Sequence, residues 1–223
     1  MNTQMETVAP IAPSPPPIEA EQRVILHGVS WDTYERLLAD FPESNAVHFA
    51  YDQGVLEIMA PSPEHGASTD ILALLVNVLA EEWNIDVYGL GSTTFRRADL
   101  KRGFEPDTCF YVQNADRVRG KKQITLTKDP PPDLVIEVDI TSSSLKKSPI
   151  YAAIGVPEIW RYDGHAVTIL RLAGSKYRKQ QESTIFPGLT GAQIAPFIEE
   201  GQAMRRLDWL RRVRAWARRQ KSK

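Results

Sequence analysis

Hydrophobic residues recur at helical spacing in two early segments of the chain. One helix is predicted over residues 31–40, with Ser30 as its N-cap, and a longer one from residue 63 to about 83, with Ser62 as its N-cap. The longer helix presents an apolar stripe formed by Ile71, Leu75, Val78 and Leu79. Weaker helical patterns predict further helices near residues 149–154, 192–199 and 203–219.

Strand-like patterns outnumber the helical ones. Residues 46–51 and 55–59 predict a hairpin, because Asp52-Gln53-Gly54 between them suits a tight turn. Residues 134–140 are almost continuously apolar, which is typical of a central strand buried on both faces. Further strands are predicted at residues 86–89, 93–96, 107–112, 158–162, 166–172 and 176–181, and polar loops at 99–103 and 113–129. This order of elements indicates an α/β (α+β) fold.

Two carboxylates interrupt the most apolar strand. Glu137 and Asp139 are two residues apart, so their side chains point to the same face, ~6.6 Å apart along the strand. Buried ionised carboxylates are unfavourable unless cations or hydrogen-bond donors compensate. The pair therefore needs a lysine, an arginine or a divalent metal, and Mg²⁺ favours carboxylate oxygens. A solvated or salt-bridged position at a sheet edge is an equally good interpretation of the strand alone.

Other acidic residues compete to complete such a site. Asp133 precedes Glu137 by four residues, and ~13 Å of strand is too long for the two to share one metal easily. Asp133 is therefore expected to cap the start of the strand. Asp107 opens a different strand and lies beside Glu137 if the two strands pair. Glu57 is expected at the surface.

Length and composition narrow the class of protein. The 223 residues suit one globular domain, predicted over residues 23–200, between a Pro-rich disordered leader (1–22) and a basic amphipathic C-terminal helix or tail (201–223). The single cysteine excludes an internal disulfide and argues against a cysteine-based zinc site. No apolar stretch approaches the ~20 residues of a membrane span, and the N-terminus lacks a secretory pattern. A cytoplasmic protein is therefore expected.

Basic residues are concentrated in two places. Because the formal net charge is -1, attraction to nucleic acid must come from such local patches. The loop between the two carboxylate strands contains Arg117, Arg119, Lys121 and Lys122. The final helix contains Arg211, Arg212, Arg218 and Arg219, with an apolar edge formed by Leu207, Leu210, Val213 and Trp216. The helix could contact a phosphate backbone or an acidic partner, or pack on the domain with a solvated face.

Five short motifs occur in a specific order along the chain. They are GVLEIMAPSPEH at 54–65, GFEPD at 103–107, PDLVIEV at 132–138, Lys147 followed by Tyr151, and GVPEIW at 155–160. Each motif alone is weak. Together they resemble the Uma2 family, also called DUF820, whose members are restriction endonuclease-like proteins of the PD-(D/E)XK nuclease superfamily. The resemblance covers roughly residues 30–185.

The resemblance implies a restriction-endonuclease-like core, with a central mixed sheet flanked by helices, in which Asp107 and Glu137 bind Mg²⁺ (or Mn²⁺). The superfamily usually has a lysine two residues after the glutamate, where this chain has Asp139. The resemblance instead indicates Lys147 as the site lysine, with the adjacent Lys146 as an alternative. Asp139 is then expected to bind a second metal or, in the slightly favoured interpretation, to accept a hydrogen bond from the lysine.

The first hypothesis is therefore a Mg²⁺-dependent endonuclease that hydrolyses DNA phosphodiester bonds. His65, at the start of the long helix, is an accessory candidate, and its alternative is a solvent-facing histidine. A second hypothesis is a nucleic-acid- or partner-binding protein on a nuclease fold with weak or lost catalysis. A third is that the carboxylates form only structural ion pairs. A homodimer is an open expectation, because double-strand cutters often pair two sites.

Overall fold

The computed structural model describes residues 21–41, 47–140 and 147–221. Almost all of the predicted leader, and also Lys146, lie outside the described residues. The strands are β1 (Gln22–His27), β2 (His48–Asp52), β3 (Val55–Ala60), β4 (Tyr88–Gly89), β5 (Phe95–Arg97), β6 (Arg102–Phe104), β7 (Thr108–Tyr111), β8 (Leu134–Val138), β9 (Glu158–Tyr162), β10 (Val167–Ala173) and β11 (Lys176–Gln180). The helices are α1 (Trp31–Asp40), α2 (Pro63–Trp83), α3 (Ala115–Val118), α4 (Ser148–Ile154), α5 (Gly191–Ala203) and α6 (Arg206–Lys221).

The two early helices begin where the sequence provides caps. The Ser30 side chain accepts a hydrogen bond from the first turn of α1 at 3.1 Å, and the Ser62 side chain accepts one from His65 N–H in α2 at 3.2 Å. Each cap satisfies an N–H group that has no partner within the helix. Both helix predictions are confirmed. No helix in the described ranges is long and apolar enough to cross a membrane.

Five strands form an antiparallel sheet in the order β1-β3-β2-β6-β5. The hairpin between β2 and β3 is confirmed, since Asp52 pairs with Val55 across a two-residue turn. In that turn Gln53 and Gly54 have φ values of 47° and 102°, as a tight hairpin with right-handed twist requires.

Six strands form a second, mixed sheet in the order β11-β10-β9-β8-β7-β4. β8 lies inside this sheet, parallel to β9 and antiparallel to β7. All five of its residues are buried, which confirms the central strand that its apolar sequence predicts. The predicted α/β (α+β) class, with helices beside a mixed sheet, is likewise confirmed.

Three elements differ from the sequence predictions. β6 begins inside the segment predicted to be a polar loop at 99–103, and α3 forms inside the predicted loop at 113–129. β6 requires a glycine at position 103, because the Cβ atom of any other residue would overlap the hydroxyl group of Tyr34. β1 was not predicted, because Val24 and Leu26 in this edge strand are both exposed and show no core-facing pattern. Short strands and edge strands carry little periodic signal, so their partners decide their structure.

Helix α2 lies across the mixed sheet and shares one core with α5 and α6. Trp209, Val213 and Ala217 of α6 are buried in this core. The indole N–H of Trp209 donates to the Phe197 carbonyl at 2.8 Å, which fixes α6 against α5. The apolar edge is therefore shifted from the predicted one, and Leu207, which was expected to pack, is 60% exposed.

Candidate active site

Asp107 and Glu137 come together where β7 and β8 pair. The antiparallel register joins Thr108 to Ile136 and Cys109 to Val135, and its continuation by one residue puts Asp107 opposite Glu137. Residues directly opposite in such a pair have Cβ atoms only ~4.5–5.5 Å apart and share one face. The condition set by the sequence, that the two strands pair, is therefore met.

The two carboxylate oxygens of Asp107 have different surroundings. Oδ2 accepts a hydrogen bond from the Val138 backbone N–H at 2.6 Å. Oδ1 lies 3.0 Å from Nε2 of His65 and 3.5 Å from Nδ1 of His48. Among the described residues, however, Oδ1 and both imidazole nitrogens lack a hydrogen bond of good geometry. These contacts are therefore chiefly electrostatic, and one buried oxygen of Asp107 retains unused acceptor capacity.

Charge governs the protonation of this group. Burial would raise the pKa of Asp107, but His48, His65 and the charge of Lys147 together hold it well below its ordinary value. Burial would lower the pKa of His65, but Asp107 and Glu21 raise it to about 9. His65 is therefore buried beside Asp107 and predominantly protonated at neutral pH, which excludes the solvent-facing interpretation.

Both oxygens of Glu137 accept hydrogen bonds from α4 and the residue that precedes it. Lys147 Nζ donates to Oε2 at 2.8 Å, and the Tyr151 hydroxyl donates to Oε1 at 2.5 Å. Burial and the nearby Asp107 raise the pKa of Glu137, while Lys147 opposes them. Burial would lower the pKa of Lys147, yet Glu137 and Asp107 raise it, so the lysine remains a buried ammonium group.

Asp139 lies beside an arginine from β1. Nη2 of Arg23 is 3.5 Å from Oδ1 of Asp139, and Nη1 of Arg23 donates to Glu57 at 3.1 Å. Within the described residues, Lys147 Nζ donates to Glu137 and makes no hydrogen bond to Asp139, contrary to the favoured interpretation of Asp139. The expectation for Glu57 was also wrong, because its side chain is only 1% exposed and ion-paired. The pattern of β3 did not reveal the buried arginine that compensates it.

Carboxylates outnumber permanent cations in this cluster. Five carboxylates, those of Glu21, Glu57, Asp107, Glu137 and Asp139, face Arg23, Lys147 and the protonated His65, with a smaller contribution from Arg161 at Asp139. A buried excess of negative charge favours an additional cation. No group of three or more His, Cys, Asp or Glu side chains within residues 21–41, 47–140 and 147–221 has the arrangement of a complete metal site. By charge and chemistry, the carboxylates could supply part of the ligand set of a divalent ion.

A cleft gives access to Asp107. It has a volume of about 340 Å³, and its lining includes His48, His65, Gly91, Ser92 and Asp107. It opens beside the N-terminal turn of α2, where the positive end of the helix dipole favours anions. His48 and His65 line the cleft, whereas Glu137 is not among its lining residues.

Two further acidic residues serve the framework. Asp133, at the other end of β8, accepts hydrogen bonds from the backbone N–H groups of Val112 and Asn114 at 2.7 and 3.0 Å. This confirms its expected role at the start of the strand. Glu105 accepts hydrogen bonds from Phe49 N–H and the Thr94 hydroxyl, so it holds β2 and does not join Asp107.

The basic residues are not gathered at the carboxylates. In the first group, Arg119 pairs with Asp86 and Lys121 with Asp129, whereas Arg117 and Lys122 have no ion pair among the described residues. Lys121 and Lys122 line a cavity of about 520 Å³ that also includes Thr93 and Thr94. These threonines directly follow Gly91 and Ser92 of the Asp107 cleft.

The arginines of α6 are largely engaged with the domain itself. Arg212 pairs with Glu200, Arg218 with Glu82 and Arg211 with Asp208. Of the three interpretations of this helix, packing on the domain is the one observed. Arg219 lies on the exposed side of the same helical turn as Arg218.

Sequence reasoning missed three side chains at the site. They are His48, Arg23 and Tyr151. Tyr151 served as a motif marker and was given no role. No local pattern marks His48 or Arg23, because each reaches the site through strand pairing, whereas the four-residue spacing of Lys147 and Tyr151 is one helical turn and was a usable signal.

Comparisons with known proteins agree with the motifs. A search of curated proteins found no match. One solved structure, from Anabaena variabilis ATCC 29413 and titled "putative nuclease belonging to DUF820", matches with a TM-score of 0.53 and 13% identity, over 76% of this chain and 99% of that one. This similarity shows the fold alone. The family model of Uma2, described as "Putative restriction endonuclease", matches residues 31–204. The resemblance inferred from the motifs is thereby confirmed, and the chain belongs to the Uma2 family.

Proposed function

We propose that this protein is a metal-dependent endonuclease that hydrolyses phosphodiester bonds of DNA, with Mg²⁺ (or Mn²⁺) as its cofactor. The observation that carries the proposal is the register of β7 and β8, which puts Asp107 opposite Glu137. Lys147 Nζ then completes the set at 2.8 Å from Glu137. Two carboxylates and an ammonium group within one buried cluster match the requirements of phosphodiester hydrolysis.

Asp107 and Glu137 are the residues that would hold the ion. Oδ1 of Asp107 has unused acceptor capacity, and each oxygen of Glu137 has a second lone pair beyond the one that its hydrogen bond occupies. The surplus of carboxylates over permanent cations favours a divalent ion at this position. When bound, such an ion lowers the pKa of a coordinated water and offsets the charge of the phosphate.

The other side chains orient this pair and supply charge. The Val138 N–H and the Tyr151 hydroxyl hold one oxygen each of Asp107 and Glu137, so neither carboxylate rotates freely. Lys147 keeps its proton and presents positive charge where negative charge develops during hydrolysis. His65 adds a protonated imidazole at 3.0 Å from Asp107, on the side of the cleft. Asp139 has an indirect role, because its carboxylate is paired with the Arg23 guanidinium.

The surface beside the cleft suits a nucleic-acid backbone. Segment 90–94 separates the Asp107 cleft from the cavity that contains Lys121 and Lys122. A strand whose phosphate enters the cleft can continue across this segment to the two lysines. Such contacts are independent of base sequence and depend on salt concentration.

The decisive experiment is a cleavage assay on supercoiled plasmid and short duplex DNA, with RNA as a parallel substrate. Mg²⁺ and Mn²⁺ are compared with EDTA. Asp107→Asn and Glu137→Gln are expected to reduce cleavage by more than ~100-fold, since even indirect partners of metal ligands contribute ~10–100-fold. Asp116→Asn, a fully exposed site in α3, is the matched control and should cleave like the parent. Cleavage that persists in EDTA or in both carboxamide variants would exclude this site as its source.

A second candidate function is binding of nucleic acid without efficient cleavage. One observation favours it: both oxygens of Glu137 are already hydrogen-bonded, to Lys147 and Tyr151, so metal entry requires these bonds to share lone pairs or to rearrange. This function predicts measurable DNA affinity with no cleavage under any metal. Sedimentation of the protein with and without DNA also tests for a dimer, which double-strand cutters often form.

A further inference from the structure

A side chain from outside the family-matched region enters the candidate site. The family match begins at residue 31, whereas Arg23 belongs to β1, which pairs antiparallel with β3. The Arg23 side chain is only 9% exposed. Arg23 is therefore not a surface residue. Its side chain reaches the carboxylates because β1 forms the edge strand of the first sheet.

The contacts of Arg23 join three carboxylates. Its guanidinium pairs with Glu21, donates to Glu57 at 3.1 Å and lies 3.5 Å from Asp139. A buried guanidinium is stable only when such partners compensate its charge. Conversely, without Arg23 the charge of Asp139 and Glu57 would be balanced chiefly by Lys147, with a smaller contribution from Arg161 at Asp139.

Several carboxylates therefore compete for the Lys147 ammonium group. This group donates to Glu137 at 2.8 Å, but it also interacts with Glu57 and is the principal cation acting on Asp139. Asp139 follows Glu137 by two residues, and is near enough that a lysine side chain can reach either carboxylate. Neutralisation of Asp139 by a second cation removes the attraction that would draw Lys147 away.

We infer that Arg23 is a positioning residue, which neutralises Asp139 and Glu57 so that Lys147 stays on Glu137. The inference deepens the proposed function and rests on it as far as Lys147 serves cleavage. The position of Lys147 itself is a property of the folded protein and can be measured without any activity.

The test follows the Lys147 ammonium signal by NMR in protein labelled with ¹⁵N-lysine, assigned by its loss in Lys147→Met. A buried, hydrogen-bonded ammonium exchanges slowly enough to be detected. In Arg23→Met and Arg23→Gln the signal is expected to shift or disappear. Arg23→Lys, which keeps the charge, should retain it at least in part. Arg102→Met removes another ion-paired arginine of the same sheet and should leave the signal unchanged.

A rescue variant separates positioning from mere structural support. Adding Asp139→Asn to Arg23→Met removes the competing charge, so the Lys147 signal should return towards that of the parent. Cleavage should fall by ~10–100-fold in Arg23→Met and recover in the double variant. An unchanged Lys147 signal in a folded Arg23→Met or Arg23→Gln protein, or no recovery in the double variant, would overturn the inference. If the parent protein cuts no DNA, the proposed function fails while the NMR measurement still decides this one.

Discussion

At the scale of single residues, the site consists of carboxylates held in place by the Lys147 ammonium group and by neutral donors. Glu137 is bound on one oxygen by Lys147 and on the other by Tyr151, and Asp107 is bound by the Val138 backbone. Each donor satisfies an acceptor that would otherwise be unfavourable to bury. The protonation and orientation of the carboxylates therefore depend on side chains that carry no formal charge as well as on the lysine.

Tyr151→Phe should destabilise the protein by ~1.5–3 kcal/mol, because it removes a buried hydrogen bond to a charged group. The ring remains in edge contact with Phe104, so packing changes little. Urea unfolding measures the effect. Tyr177→Phe is the matched control, since its hydroxyl donates to the neutral Val156 carbonyl at 2.6 Å and its loss should cost only ~0.5–1.5 kcal/mol. A smaller loss of unfolding free energy for Tyr151→Phe than for Tyr177→Phe would contradict a hydrogen bond from Tyr151 to a charged Glu137.

The Cys109 thiol should be unreactive in the native protein. Its side chain is fully buried in β7, and burial raises its pKa to about 12, so almost no thiolate is present at pH 8. A colorimetric disulfide reagent should therefore titrate no thiol before guanidinium is added and one per chain afterwards, since Cys109 is the only cysteine. Rapid labelling of the native protein would show that β7 opens easily.

His65 should make the stability of the metal-free protein depend on pH. Its folded pKa of about 9 exceeds an unfolded value of ~6.5, so protonation is favoured in the folded state. The stabilisation is fully present below pH ~6.5 and is lost as pH rises through about 9. Urea unfolding in EDTA between these limits should show this slope in the parent and in His165→Gln, an exposed control. A parallel slope in His65→Gln would assign the effect to other groups.

At the scale of elements, pairing and packing bring distant segments to one point. Asp107 directly precedes β7, Glu137 lies in β8, and Tyr151 lies in α4. The N-terminal turn of α2 contributes His65, while its C-terminal half is held by α6. Since α6 shares the core that supports α2, it stabilises the helix that carries His65.

Trp209→Ala should therefore destabilise the whole domain by ~3–5 kcal/mol, the usual cost of removing a large buried aromatic side chain. Trp209 is 1% exposed in the core shared with α2. Leu207→Ala in the same helix is the control, and should change stability by less than ~0.5 kcal/mol because Leu207 is largely exposed. Similar unfolding midpoints for the two variants would mean that α6 does not share the core in solution.

At the scale of the whole molecule, opposite charges are separated. The formal net charge is -1, yet the candidate site is acidic and the residues predicted to bind nucleic acid lie elsewhere. Arg218 of α6 pairs with Glu82, which follows His65 by seventeen residues in one helix, or ~26 Å. Arg218 is therefore too far from Asp107 to act on the reacting phosphate, whereas Arg206, at the start of α6, pairs with Asp70 of the Asp107 cleft.

Removing unpaired cations should weaken DNA binding more than removing paired ones. Arg117→Gln/Lys122→Gln is expected to reduce the slope of log affinity against log salt by up to ~1.8, at ~0.9 per lost phosphate contact. Arg212→Gln/Arg218→Gln should reduce it less, because these arginines already bind carboxylates of the domain. Fluorescence anisotropy over a range of salt concentrations measures both slopes. The opposite order would identify α6 as the main phosphate-binding surface.

The sequence by itself determined the elements whose signals are local. Caps at Ser30 and Ser62, the turn at Gln53-Gly54 and the apolar run of β8 each act within a few residues, so α1, α2, the hairpin and the central strand were predictable. Ordered motifs likewise indicated Asp107, Glu137 and the Uma2 family. Short elements such as β6 and α3 were missed, because three or four residues carry too little periodicity to outweigh their polar composition.

Only the tertiary structure decided which charges balance one another. Strand pairing, whose partners are far apart in sequence, put Asp107 opposite Glu137 and brought His48 beside it. It also buried Arg23 among carboxylates that strand patterns alone could not connect. A buried charge is stable only with its partners, and those partners are chosen by contacts across the fold. The acidic residues of the site could therefore be predicted from the sequence, whereas the cations that neutralise them could not.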